Sequence, residues 1–187
     1  TLTVGGTVLG TAGVAPDGCF SVTPTAALPD GTVITATQVD AAGNTTVGAL
    51  TSSTGIVDQE TTAGTFTTGA VSGASGVWLK SSGNLSTGVL TSLNANVNAQ
   101  SLTGAVAITS AKAKTALVAT SKTGLTLTTY AVSGGTANLT SGSTFTSTTG
   151  TATGNITLDS AGNASVGAVT SSAGLVDLET TGSGTLT

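Results

Sequence analysis

Along most of the chain, apolar positions alternate with small polar ones for a few residues and then break at Gly, Asn or Ser. A period of two is the mark of short strands that face a core on one side only. No window carries the apolar spacing of an amphipathic helix with charged flanks. The nearest is AVAITSAKAKTALVATSK (105–122), and its Val106, Ile108, Leu117 and Val118 fit alternation as well as they fit a helix. β-Branched Thr, Val and Ile favour strands, and Gly, Asn, Asp and Ser favour turns. The pattern predicts an all-β chain.

The pattern also repeats. DAAGNTTVGALTSSTGIVDQETT (40–62) returns as DSAGNASVGAVTSSAGLVDLETT (159–181), identical at 16 of 23 positions and displaced by 119 residues. Cutting at the turns between the copies gives pieces that begin at residues 44, 65, 84, 105, 125, 144 and 163, each 19 to 21 residues long where complete. VGAL, TGAV, TGVL and VGAV recur at a similar place in them, at Val47–Leu50, Thr68–Val71, Thr87–Leu90 and Val166–Val169; the fifth and sixth pieces are irregular. A unit of this length cannot bury its own apolar face, but stacked neighbours build a continuous core. We therefore expect β-solenoid (β-helix-like) repeats of about 20 residues over 45–187, about seven coils. The expected core ladder is Val47, Leu50, Ile56, Val57, Val71, Leu90, Val166, Val169, Leu175 and Val176. The alternative is β-sandwich modules throughout, with the second copy cut short.

Residues 1–44 read differently. GTVLGTAGVAPDG (6–18), FSVTPTAALPDGT (20–32) and ITATQVDAAGN (34–44) combine an aromatic after a D-G turn (Phe20), a T-P-T segment (Thr23 to Thr25), an L-P-D-G turn (Leu28 to Gly31) and a closing D-A-A-G-N (Asp40 to Asn44). This resembles the bacterial Ig-like modules of large surface adhesins. It departs from them in having Cys19-Phe20 where Trp is frequent, and in lacking a full opening strand. The resemblance implies a partial Ig-like β-sandwich segment whose exposed edge another chain could fill, with TLTVGG or GSGTLT as the donor strand. The later repeats are similar, more loosely, to the β-helical repeats of filamentous haemagglutinin-type adhesins.

Composition sharpens the class. Thr and Ser make up 63 of 187 residues and Gly 27, while charged residues are only 6%, against about 25% in an ordinary domain. A mean hydropathy of +0.37, carried by spread Val, Leu, Ile and Ala, argues against disorder. The net charge of −4 and pI near 4.2 argue against nucleic acid. There is no run long enough to span a membrane as a helix, and no signal-peptide pattern opens the sequence. Cys19 is the sole cysteine; it reads as a small buried hydrophobe, or less readily as an intermolecular bridge. Such a low-charge, Thr/Ser/Gly-rich chain is expected at an extracellular cell surface.

Candidate chemistry is sparse. With no His, a Ser-His-Asp arrangement is excluded, and the chain is expected not to be an enzyme and to need no cofactor. Asp58/Glu60 and Asp177/Glu179 repeat the same D-x-E, which puts both carboxylates on one strand face; they are weak metal candidates, too few for a tight site. Asn44, Asn84, Asn138, Asn155 and Asn163 open N-x-S/T sequons and are glycosylation candidates. Thr-x-Thr segments at Thr65, Thr126, Thr144, Thr151 and Thr185 do not share one coil position. All four lysines, Lys80, Lys112, Lys114 and Lys122, lie in the middle, and no acid occurs from Thr61 to Leu158. A rod would thus have a basic centre and acidic ends, suited to staggered lateral packing. The C-terminal GSGTLT carries no capping pattern, so an open edge is expected there. The sequence reading is an extracellular structural protein, a subunit or segment of a filament or adhesin fibre. It would pair strands with further copies of itself and possess no membrane span. The alternative is a carbohydrate- or ice-binding module that takes surface glycans.

Overall fold

The computed structural model describes residues 2–4, 7–10, 12, 35–36 and 42–187. Near the N-terminus, β1 (Leu2–Val4) pairs antiparallel with β2 (Thr7–Gly10) and with β3 (Thr35–Ala36). From Thr45 onward every strand pairing is parallel, and the described residues contain no helix. Parallel ladders with short connections and no helices define a β-solenoid, and the sandwich alternative falls for these residues.

Seven coils follow. The first is β4 (Thr45–Val47), β5 (Leu50–Ser52) and β6 (Ile56–Thr61); the second is β7 (Phe66–Thr68), β8 (Val71–Gly73) and β9 (Gly76–Ser81). In the other five the two front pieces merge into one strand. They are β10 (Leu85–Ser92) with β11 (Val97–Ser101), β12 (Val106–Ala113) with β13 (Ala116–Ser121), and β14 (Leu125–Val132) with β15 (Thr136–Ser141). β16 (Phe145–Ala152) with β17 (Ile156–Ser160) and β18 (Ala164–Ser171) with β19 (Val176–Thr180) complete the stack. The pieces cut from the sequence begin at, or one residue before, each coil's first strand. The fifth and sixth coils, irregular in sequence, keep full register in the structure.

One sheet carries the front strands and a second carries β6, β9, β11, β13, β15, β17 and β19. Their inner faces meet in one core in which like positions stack. Leu85, Val106, Leu125 and Phe145 form one column, and Leu79, Ala99, Ala119, Leu139 and Leu158 another. Each front strand slips its alternation once. In β10, Leu85 and Thr87 face in, Gly88 and Val89 do not, and Leu90 and Ser92 face in again. That slip turns a corner, and the recurring VGAL-type tetrapeptide is its sequence: inward, two outward, inward.

Polar ladders hold the turns. Ser81, Ser101, Ser121, Ser141 and Ser160 stack as a buried column. Ser141 Oγ shares its one proton between the Thr123 and Thr144 carbonyls, at 2.9 and 2.7 Å. Ser101 Oγ donates to the Gly83 carbonyl at 2.6 Å and accepts from the Gly104 N–H at 2.9 Å. These bonds satisfy turn backbone groups that the strand ladders leave over.

The expected core residues divide. Val57, Val71 and Leu90 are buried, and Val47, Leu50, Val166 and Val169 pack against the core from the end coils. Ile56 is half-buried. Leu175 and Val176 are corrected: they are 73% and 42% exposed. Leu175 lies in the turn before β19, and no coil among the described residues stacks beyond Val176. The largest buried side chains, among them Phe66, Leu79, Leu127 and Phe145, come from the middle coils.

Candidate functional site

The outer face of β6, β9 and β11 is the only part of the described solenoid where an exposed aromatic meets charged groups. β9 is GVWLKS: Val77 and Leu79 alternate into the core, so Trp78 and Lys80 point outward. In-register pairing then sets two columns side by side. Asp58, Trp78 and Asn98 form one, and Glu60, Lys80 and Gln100 the other. Spacings are about 4.8 Å between coils and about 7 Å along a strand. A shallow depression of about 140 Å³ lies among these six side chains.

Trp78, the one tryptophan of the chain, is 47% exposed. Gly76 lies beside it with φ +146°, and a Cβ there would sit 3.7 Å from the indole Nε1. Lys80 Nζ and Glu60 Oε1 form an ion pair at 2.7 Å, with both side chains near half exposure. It fixes geometry more than it stabilises. Burial, and secondarily the Glu60 charge, push the Asp58 pKa above its usual 3.8.

The second D-x-E lies at the other end. Asp177 and Glu179 face outward on β19, and Asp159 sits beside Glu179 in register. Among the described residues no three Asp, Glu, Cys or His cluster in a way that would hold a metal ion. The two D-x-E pairs are six coils apart and do not form one site.

The sequons take two positions. Asn44, Asn84, Asn155 and Asn163 stand at turns, where their Oδ1 atoms accept the N–H of Thr65, Ala105, Leu175 and Thr185 in the next coil at 2.9–3.0 Å. Asn138 projects from the outer face of β15 and is exposed.

The outward column on the front sheet is Thr46, Thr67, Ser86, Ala107, Thr126, Thr146 and Ser165. It becomes a two-wide threonine array only at Thr126/Thr128 and Thr146/Thr148. Depressions of about 300 and 310 Å³ along the last three coils hold no charged residue.

Both segments expected as donor strands are paired within their own chain. Leu2–Val4 pairs with β2 and β3, and Thr185–Thr187 folds onto Ala164 and Val166 as the start of a further coil. Cys19, Phe20, the T-P-T and L-P-D-G segments and Asp40 lie outside the described residues.

The sequence model of the bacterial Ig domain family matches residues 2–55. The match covers the segment that carried the resemblance and runs on through β4 and β5 into the first coil. No curated protein and no solved structure matches the chain. An Ig-like segment followed by an all-β solenoid is the architecture of a structural or adhesin-like chain.

Proposed function

We propose that the protein is an extracellular structural element: a stiff solenoid spacer joined to an Ig-like module in a cell-surface adhesin or fibre. We place the boundary between residues 44 and 45. The observation that carries this reading is the parallel ladder from Thr45 to Thr180, in which each coil adds to one core. That arrangement suits length and stiffness. With no His in the chain and the carboxylates of the solenoid confined to its first coil and its last two, the reading is non-enzymatic.

Assembly with further copies is part of the proposal. β19 pairs with β17 on one side only among the described residues, and Leu175, Val176 and Leu186 are exposed near it. A strand edge with adjoining apolar surface is a template for pairing. The charge layout supports a staggered lateral arrangement as well. Asp58 and Glu60 lie in the first coil, Lys112, Lys114 and Lys122 in or beside the fourth, and Asp159, Asp177 and Glu179 in the last two.

The test is electron microscopy of the purified chain at neutral pH without denaturant. Uniform rods that lengthen with protein concentration are the expected result. Dispersed short particles at every concentration would remove self-assembly and leave the spacer. Globular particles would remove both.

A further inference from the structure

We propose that the outer face of β6, β9 and β11 binds a neutral saccharide, with the Trp78 indole as its stacking platform and Asp58, Asn98 and Gln100 as the hydrogen-bonding rim. This goes beyond the spacer reading and does not depend on it.

Trp78, 47% exposed, offers solvent the broad apolar face of an indole, a surface on which a ring-shaped ligand can stack. It is also rigid, so a ligand that stacks on it loses little side-chain entropy in the protein. The ligand is specified by what surrounds the ring. An apolar partner would leave Asp58, Asn98 and Gln100 desolvated and unpaired, which costs more than the ring contact returns. A sugar ring has the complementary make-up: one face of C–H groups, ringed by hydroxyls that donate and accept.

The side groups match that rim. Asp58 offers two acceptor oxygens, and the Asn98 and Gln100 amides each offer both donors and an acceptor. In-register pairing puts Asp58 on one side of Trp78 and Asn98 on the other, with Gln100 one step along the strand. Charge decides between neutral and acidic sugars. The Glu60–Lys80 pair satisfies itself at 2.7 Å, which leaves Asp58 as the uncompensated charge beside the ring. A carboxylated or sulfated sugar would meet like charge. A cation would find one free carboxylate, too few to hold it.

The experiment uses the full chain. Trp78 is the only tryptophan, so its emission reports this face alone. Titration with lactose, cellohexaose and maltohexaose is expected to give a saturable emission shift with at least one, and 3′-sialyllactose is expected to bind more weakly than lactose. By calorimetry, Trp78→Ala should lose about tenfold in affinity, which is about 1.4 kcal/mol, since it removes the stacking platform. Trp78→Phe, which keeps a smaller ring and guards against a folding defect, should fall between. Asp58→Asn should narrow the difference between lactose and its sialylated form. No emission shift with any of the three neutral sugars overturns the proposal, as does Trp78→Ala binding like the parent. Rods unchanged for Trp78→Ala under the microscope would show that a failure here leaves the spacer reading intact.

Discussion

Tyr130 is the one tyrosine of the chain, and it is buried in a column between Ala111 and Gly150. The column is narrow, and the phenol fits because the next coil supplies no side chain: a Cβ on Gly150 would lie 2.0 Å from the ring Cζ. Gly150→Val should therefore force the ring out of its place, at a cost of about 1–3 kcal/mol as in other overpacked cores, read as a fall in Tm. A second readout is titration. Burial pushes the Tyr130 pKa up to about 12 from 10.0. The folded state thus holds its proton where the unfolded state has released it. The stability this contributes is complete below pH 10 and is lost as pH rises from 10 toward 12. Alkaline melting curves should show that loss in the parent and not in Tyr130→Phe, and Gly150→Val should bring the phenol's absorbance titration back toward 10. At the next column inward, Thr87 Oγ1 is buried with no hydrogen-bond partner. Thr87→Val keeps the shape and removes a desolvated hydroxyl, so Tm should rise, by about 1 kcal/mol of stability. None of these three roles is legible in the sequence. Nothing in STTG by itself names a partner, and only the register shows that its Gly faces a ring twenty residues away.

Element by element, the turns were legible and the corners were not. Gly, Asn and Ser marked the breaks well enough to place coil starts within a residue, because each turn needs one of them for backbone satisfaction. The slip inside each front strand was missed as geometry although its tetrapeptide was visible. It showed only where the two outward positions hold Gly with Ala or Val. In the fourth, fifth and sixth coils the same corner is ITSA (108–111), LTTY (127–130) and STTG (147–150), so the tetrapeptide does not recur there, and the fifth and sixth coils looked irregular. The face of Trp78 went unread for a different reason: a single aromatic makes no period, yet the Val77/Leu79 alternation around it already points it outward. The buried serine column is a property of the turn element, and its energetics can be tested there. Ser101→Ala leaves the Gly83 carbonyl and Gly104 N–H without the hydroxyl they share. The loss should be about 1–3 kcal/mol, seen as a lower midpoint in urea with an unchanged slope. Removing the exposed Glu60–Lys80 ion pair by Lys80→Ala should shift the midpoint by much less.

At the scale of the whole molecule, a solenoid is a stack whose stability is close to a sum of coil terms and nearest-neighbour interfaces. The repeat of 119 residues exposed this in the sequence, since six coils of just under twenty residues restore the same face to the same place. The ends were the least legible part. Val176 belongs to an inward column by register with Ile156, but burial there depends on what covers the last coil. The stack itself makes a sharp prediction. Excising residues 84–104 removes the third coil and joins Gly83 to Ala105. Phe66 would then stack on Val106, Val71 on Ala111, Leu79 on Ala119 and Ser81 on Ser121, all at positions that already share columns. The shortened chain should fold cooperatively with a strand-type circular dichroism spectrum and a Tm only a few degrees lower, and its rod should be shorter by about 4.8 Å. It should also lose the saccharide rim, because Val118 and Thr120 would replace Asn98 and Gln100 beside Trp78. Excising only residues 84–93 shifts the remaining strands by half a coil and sets turns against core columns, so that chain should fail to fold. Equal damage from the two deletions would mean that the coils are not interchangeable units, and the additive stack would be the wrong description of this rod.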